Sequence, residues 1–227
     1  MAAPFFVTAS GTDIGKTLVT ATLCWQLRER GRKVTALKPI ITGFREDDPE
    51  NDTAVILRSC GLKSTPELVR TISPWRFRAP LAPNLAAARE DTAIEFENVV
   101  SFCKSHAALD TDVLLAEGAG GVMAPLDNHH TMLDLMELLD WRVILVGGSY
   151  LGSLSHTLAT LEVLRTRGLV VAALIIIESE QSRVTLDETA AGFGALVTAN
   201  IPMIKLPRVR NQAEPWKHQP NISWICA

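Results

Sequence analysis

A chain of 227 residues has room for one α/β domain with a substantial buried core. With 47% apolar and 21% charged residues it reads as an ordered globular protein, not a disordered or fibrous one. The formal net charge of −3 leaves no basic surplus for gripping nucleic acid or an anionic membrane, so neither is expected as a partner.

Short apolar runs alternate with longer periodic segments. In chain order they predict a strand at 5–8, a helix at 16–30, a strand at 34–37 and helices at 52–59 and 94–106. A strand at 113–116, a helix at 132–139, a strand at 143–146 and a helix at 155–167 come next. A strand at 170–176, a helix at 186–197 and a strand at 203–206 complete the series. The strands are continuous apolar runs, as expected where helices cover both faces of a sheet. Strand–helix–strand repetition predicts an α/β fold, with a doubly wound, mostly parallel sheet flanked by helices and residues 1–227 forming one domain.

Three stretches fall outside that rhythm. Residues 42–52 are polar and acidic and read as a mobile loop. Residues 71–92 carry Pro74, Pro80 and Pro83 beside Trp75 and Phe77 and read as an irregular excursion, a length of loop that is usually functional or flexible. The tail at 215–227 contains Pro220 and reads as extended.

Cys24, Cys60, Cys103 and Cys226 are scattered, with no Cys-x-x-Cys pair, so neither a zinc site nor a redox motif is suggested. Cys24 and Cys103 fall in helical patterns as buried thiols, and a reducing compartment is the simplest reading. The start of the chain shows no basic-then-apolar leader, and the longest apolar run, 169–177, is too short to span a bilayer. The expectation is a cytoplasmic protein.

The most informative stretch is Phe5-Phe6-Val7-Thr8-Ala9-Ser10-Gly11-Thr12-Asp13-Ile14-Gly15-Lys16-Thr17. An apolar run ends in small residues, and Gly15-Lys16-Thr17 opens a helix. A phosphate-binding loop needs this context, because successive backbone N–H groups and the helix dipole then face one anion. Lys16 would reach the β- and γ-phosphates and Thr17 would ligate Mg²⁺. The first glycine of the usual spacing is replaced by Ser10. A bare Gly-Lys-Thr also occurs in plain strand-to-helix turns, but here strand, turn and helix all fall where the motif requires them.

Ligands of such sheets bind beyond the carboxyl ends of the strands. The second predicted strand delivers Lys38-Pro39-Ile40-Ile41-Thr42-Gly43 to that rim, the third Glu117-Gly118-Ala119-Gly120-Gly121, and the fourth Gly147-Gly148-Ser149-Tyr150-Leu151-Gly152. Glu117 is placed to help hold Mg²⁺, or else it is a solvated glutamate capping a glycine-rich turn. Asp52 opens a helix, where it suits either an N-cap or a metal ligand. Lys38 is either a solvated strand end or a fixed cation for a transferring phosphoryl group, with Thr12 and Thr42 on the same rim. Tyr150 is either pocket-lining or packed on a neighbour, and Ser149, Tyr150, Leu151, Gly152 and Ser153 lead into another helix, whose N-terminus suits an anion such as a carboxylate.

These segments together resemble the dethiobiotin synthetase family, in order and spacing, over most of the chain. The stretch around Gly15 resembles that family's phosphate loop, and the Lys38 segment its substrate-lysine segment. The Glu117 segment resembles its metal signature, Leu151-Gly152-Ser153 its substrate-carboxylate segment, and Leu206-Pro207-Arg208 its nucleotide turn. The resemblance implies a P-loop enzyme that converts 7,8-diaminopelargonate, CO₂ and ATP to dethiobiotin, through a carbamate and a carbamic-phosphoric anhydride. It implies that Asp13, Ile14, Gly15, Lys16, Thr17 and Leu18 hold nucleotide, with Asp52, Glu117, Gly118, Ala119, Gly120, Leu206, Pro207 and Arg208. It further implies that Thr17, Asp52 and Glu117 hold Mg²⁺, and that Lys38, Lys16 and Thr12 act in catalysis. Thr12, Lys38, Thr42, Leu151, Gly152 and Ser153 would contact substrate, in a homodimer with the substrate at the subunit interface.

Three departures from the family pattern stand out. Ala9 replaces a usual glycine, and Asp13 keeps an acidic charge on a shorter arm. The Asn that often reads the nucleotide base is absent from Ile175-Ile176-Ile177-Glu178-Ser179, which leaves Glu178 as the candidate substitute. A different class, the partitioning or cell-division ATPase switch acting through protein partners, usually carries a second lysine early in the loop. The matching position here is Gly11.

Overall fold

The computed structural model describes residues 3–197 and 200–226. The strands are β1 (Ala3–Ala9), β2 (Val34–Leu37), β3 (Ile40–Thr42), β4 (Trp75–Phe77), β5 (Val113–Glu117), β6 (Arg142–Gly148), β7 (Val171–Ile177) and β8 (Met203–Leu206). The helices are α1 (Lys16–Glu29), α2 (Asp52–Ser59), α3 (Pro66–Ile72), α4 (Pro83–Ala88), α5 (Phe96–Ala107), α6 (Met132–Leu139), α7 (Ser153–Thr166) and α8 (Leu186–Phe193).

Six strands form one parallel sheet in the order β2-β5-β1-β6-β7-β8. The central strands are buried along nearly their whole length, which is why they read as unbroken apolar runs. Because β5 pairs with β1 on one side and β2 on the other, the ends of three strands lie adjacent at one edge. Val7 pairs with Glu117 and Leu37 with Ala116, so Lys38 leaves β2 beside Glu117.

The 71–92 stretch is not irregular. Trp75–Phe77 pairs in parallel with Ile40–Thr42 as a separate two-stranded sheet, and Pro83 opens a short helix. This segment fixes the second strand end: the Lys38 N–H donates to the Ile72 carbonyl at 2.9 Å, and the Trp75 N–H to the Pro39 carbonyl at 3.2 Å. The helix predicted to reach residue 197 stops at Phe193, where Gly194 turns to φ 43° and a short 3₁₀ turn follows. The tail is not extended either. Two 3₁₀ turns, Pro215–His218 and Ser223–Cys226, fold it back on α1, with Trp216 buried against Ala21 and Val55 and Gln26 bonded to Pro220 and Ile222.

Candidate active site

The backbone of the β1–α1 loop explains its unusual sequence. The Ser10 N–H donates to the Val146 carbonyl at 3.0 Å, so the strand pairing continues past Ala9 and no glycine is required at either position. Glycine is required at Gly15, with φ 106°, where a Cβ would lie 2.5 Å from Ile177 Cδ1. Asp13 takes the left-handed conformation too, at φ 56°, which Asp tolerates better than most residues. Gly15 caps α1 with no side-chain partner, so the first-turn N–H groups stay available to an anion. Gly121 lets the loop after β5 touch the β1–α1 loop, since a Cβ there would sit 3.2 Å from Gly11 Cα.

Four charged side chains meet at this point. Lys38 is 3% exposed and its three N–H donors are all used. They reach Glu117 Oε1 at 2.6 Å, Asp52 Oδ2 at 2.9 Å and the Gly118 carbonyl at 3.2 Å. Burial works against the Lys38 charge, but the Glu117 and Asp52 carboxylates outweigh it and hold the pKa above the ordinary lysine value. For Asp52 too, burial opposes the charge, yet the Lys38 ammonium and the Thr17 hydroxyl keep its pKa below the usual carboxylate value. Glu117 is fully buried, which rules out the solvated-cap alternative. Asp52 is not the N-cap of α2; Asn51 is, accepting from the Ala54 N–H, and this leaves the Asp52 carboxylate free to face Thr17 and Lys38.

The Thr17 hydroxyl sits 2.8 Å from both Asp52 Oδ1 and Glu117 Oε1. One hydroxyl proton serves only one of them, so three hard oxygens converge on one spot. Such a set could hold Mg²⁺, which takes one or two carboxylates and completes its shell with phosphates and water. Thr20, which sequence reasoning missed, donates to Glu117 Oε2 at 2.6 Å from one turn further along α1. Its spacing from Thr17 was the available signal. Lys16 is 6% exposed and donates to the Gly11 carbonyl at 3.2 Å. Burial, and then the neighbouring Lys38 charge, push its pKa down to about 8.

One cavity opens over this cluster and a second adjoins it along the phosphate loop. The first, of about 340 Å³, is lined by Thr12, Lys16, Thr17, Lys38, Thr42 and Asp52, with Asp13, Gly15, Ala119 and Gly120 completing it. The second, of about 450 Å³, shares Asp13 and Gly15 with the first and adds Ile14, Leu18, Ile177, Glu178, Arg208 and Pro215. Glu178 Oε2 accepts from the Arg208 N–H at 2.9 Å. Leu206 and Pro207 line neither cavity: Leu206 is fully buried, and the Pro207 carbonyl accepts from Gln219. Leu151, Gly152 and Ser153 line neither cavity as well. They stand at the start of α7 with Leu151 85% exposed, and Tyr150 packs on His156 through a 2.9 Å hydrogen bond. A larger apolar cavity of about 750 Å³ lies between α7 and the start of β7, away from the charged cluster.

A parallel sheet with a glycine-capped helix, a buried loop lysine and a following threonine defines a P-loop nucleotide-binding fold. MinD from Pyrococcus horikoshii, solved with Mg-ADP, is 19% identical at a TM-score of 0.58, over 96% of this chain and 86% of that one. A ParA family ATPase from Chlorobium tepidum is 16% identical at 0.55, over 93% of this chain and 87% of that one. These likenesses concern the fold alone. A family model described as an AAA domain matches residues 4–208.

Relatives in sequence are more specific. The chain is 45% identical over 176 residues to the ATP-dependent dethiobiotin synthetase BioD of Caulobacter vibrioides, covering 77% of this chain and 79% of that protein. It is 41% identical over 187 residues to the enzyme of that name from Acidiphilium cryptum, covering 82% and 84%. With the one from Caulobacter sp. strain K31 it shares 42% over 205 residues, covering 89% and 87%. The chain belongs to the dethiobiotin synthetase family. No helix among the described residues is long and apolar enough to cross a membrane.

Proposed function

We propose that this protein is an ATP-dependent dethiobiotin synthetase, acting as one domain and joining CO₂ to 7,8-diaminopelargonate with closure of the ureido ring. The observation that carries the assignment of roles is the Lys38–Glu117–Asp52–Thr17 cluster at the floor of the smaller cavity, beside Lys16. In this reading Lys16 and the first-turn N–H groups of α1 hold the phosphates. Leu18, Ile14 and Arg208 border the base and ribose, with Glu178 in reach of the base. Leu206 and Pro207 act by placing Arg208. The loop Gly118-Ala119-Gly120 lets backbone approach the ligand closely.

Thr17, Asp52 and Glu117 fit a divalent cation, because three oxygens from three separate elements already converge within hydrogen-bond reach. When bound, Mg²⁺ would neutralise charge on the phosphates. Lys38 would hold the carbamate and face the γ-phosphoryl group, while Thr12 and Thr42 orient the amines. A fixed ammonium with its partners already in place stabilises developing charge without reorganising. We further propose a homodimer in which Leu151-Gly152-Ser153 of a second copy reaches the substrate carboxylate, since this helix N-terminus, with Leu151 and Gly152 exposed and Ser153 buried, lines neither cavity of its own copy. The setting is the cytoplasm.

The test is ATP turnover measured with and without the diamine and bicarbonate. Phosphate release should depend on both and match dethiobiotin formed mole for mole. Hydrolysis that ignores the diamine and rises instead with a protein partner would favour a nucleotide switch and end this assignment.

A further inference from the structure

Glu117 gives its two carboxylate oxygens to different neighbours. Oε1 lies 2.6 Å from Lys38 Nζ and 2.8 Å from the Thr17 hydroxyl, where the hard oxygens converge. Oε2 accepts from the Thr20 hydroxyl at 2.6 Å, and among the described residues it has no other hydrogen-bond partner. Thr20 and Glu117 are both fully buried. Thr20 stands three residues after Thr17, on the same face of α1.

A threonine inside a helix ordinarily returns its proton to the carbonyl four residues back. Thr22, Thr160 and Thr166 do so at 2.7, 2.7 and 2.8 Å. Thr20 departs from them. Its distance to the Lys16 carbonyl is 3.1 Å, and the shorter contact, at 2.6 Å, goes to the carboxylate. A hydroxyl has one proton, and about 2.5–2.7 Å is the length of an O–H bond donated to a carboxylate oxygen. The Thr20 proton therefore belongs to Glu117 Oε2. With Oε2 engaged inside the protein, only Oε1 turns to Thr17 and Lys38. Carboxylates that ligate metals take their orientation from such outer partners. A single oxygen suits Mg²⁺, which keeps a strict octahedral shell, whereas Ca²⁺ takes both oxygens of one carboxylate into a looser shell.

We infer that Thr20 is a positioning residue that fixes Glu117 as a one-oxygen ligand and so sets the preference of the site for Mg²⁺ over Ca²⁺. This role presupposes the proposed cation site of Thr17, Asp52 and Glu117, and is independent of the diamine chemistry. Thr20 touches neither cation nor substrate; it acts through the torsion of the Glu117 carboxylate. Without the hydroxyl, Oε2 loses its hydrogen bond and the carboxylate is free to turn. A small cation then loses a preset ligand, while a large one gains access to a second oxygen.

The test is ADP binding to the intact protein by calorimetry, in EDTA, in saturating Mg²⁺ and in saturating Ca²⁺, with no turnover involved. Thr20→Val keeps the shape of the side chain and removes the hydroxyl. The tightening of ADP by Mg²⁺ should fall about tenfold in this variant, while the tightening by Ca²⁺ changes by less than about twofold. Affinity in EDTA should hold, and Thr20→Ser should restore the preference for Mg²⁺. A loss that is equal in EDTA, Mg²⁺ and Ca²⁺ would mark a purely structural role and overturn the inference, as would no change at all. Asp52→Asn separates this failure from that of the cation site. If Asp52→Asn abolishes the Mg²⁺ effect and Thr20→Val leaves it intact, the site stands and the role of Thr20 falls; if Mg²⁺ does not tighten ADP on the unaltered protein, both fall. Should Thr20→Val not fold, Thr20→Ala repeats the measurement with a better helix former. If neither folds, the carboxylate infrared bands of the unaltered protein decide on adding Mg²⁺ with ADP: the wide splitting of one-oxygen ligation supports the inference, and the narrow splitting of two-oxygen ligation overturns it.

Discussion

Lys38→Met tests the buried cluster most directly. The substitution keeps the apolar stem and removes the charge, which leaves the fully buried Glu117 carboxylate without its cation. Breaking a buried pair from one side costs about 3–5 kcal/mol. Glu117 keeps the Thr17 and Thr20 hydroxyls as partners, so the lower end, about 3 kcal/mol, is expected. Asp52 adds little, because its side chain is 39% exposed and water replaces the ammonium there. For a chain of this size the loss corresponds to a fall in Tm of about 6–12 °C. Glu117→Gln added to Lys38→Met removes the stranded charge, and the double variant should return to within about 1 kcal/mol of the starting protein. Guanidinium unfolding of the four proteins closes the cycle. Dethiobiotin formation should be lost in both Lys38 variants while ADP still binds. The reasoning is refuted if Lys38→Met alone costs under about 1 kcal/mol, or if the double variant is no more stable than the single one.

Further perturbations probe the loop and the base cavity. Burial lowers Lys16 from 10.5 to about 8, so its charge opposes folding by about 3 kcal/mol below pH 8, a cost that fades as pH climbs towards 10.5. Lys16→Met should therefore abolish turnover yet stabilise the fold at pH 7, with most of the gain gone by about pH 10.5; a variant less stable than the original at pH 7 contradicts this. Gly15→Ala should cost about 2–4 kcal/mol, from a positive φ and a clash with Ile177 Cδ1. Adding Ile177→Val removes the clashing methyl and should recover the steric part in a melting experiment; no recovery would place the cost elsewhere. Glu178→Gln keeps an acceptor for the Arg208 N–H but loses the charge that favours an amino group over a carbonyl on the base. The preference for ATP over GTP, read as a ratio of kcat/KM values, should fall about tenfold.

Lys38 and Glu117 were legible in sequence because each is a charged residue directly following an apolar strand, and parallel pairing puts such ends on one edge. Their mutual contact was not legible, since it depends on β2 pairing with β5 rather than with β1. The Asp52 ambiguity turned on its neighbour: Asn51 takes the cap and leaves Asp52 a free carboxylate. Helices α3 and α4 were missed because they are too short to show an amphipathic period, and Pro83 reads as part of an irregular excursion. Pro66 and Pro83 in fact occupy the first turn, where the missing N–H is an orphan anyway. Thr20 escaped notice because a threonine inside a helix ordinarily bonds back to a carbonyl, and its contact with Glu117 spans 97 residues.

The same fold serves nucleotide switches and synthetases, so fold alone assigns neither. What separates them in this chain is the source of the second lysine near the phosphates. A switch-type lysine would stand at position 11, where the space beside the backbone is tight. A Cβ on Gly11 would lie 3.2 Å from Ile14 Cδ1, and the loop after β5 presses Gly121 against its backbone. The Gly11 carbonyl is itself committed to Lys16. Lys38 instead arrives from β2 and is locked by two carboxylates before any ligand enters. A lysine carried on a strand end and held from below cannot swing out toward a partner subunit. It can only present charge inward, to something small enough to share a cavity of about 340 Å³ with the phosphates. That constraint favours chemistry on a small acceptor over signalling to a protein.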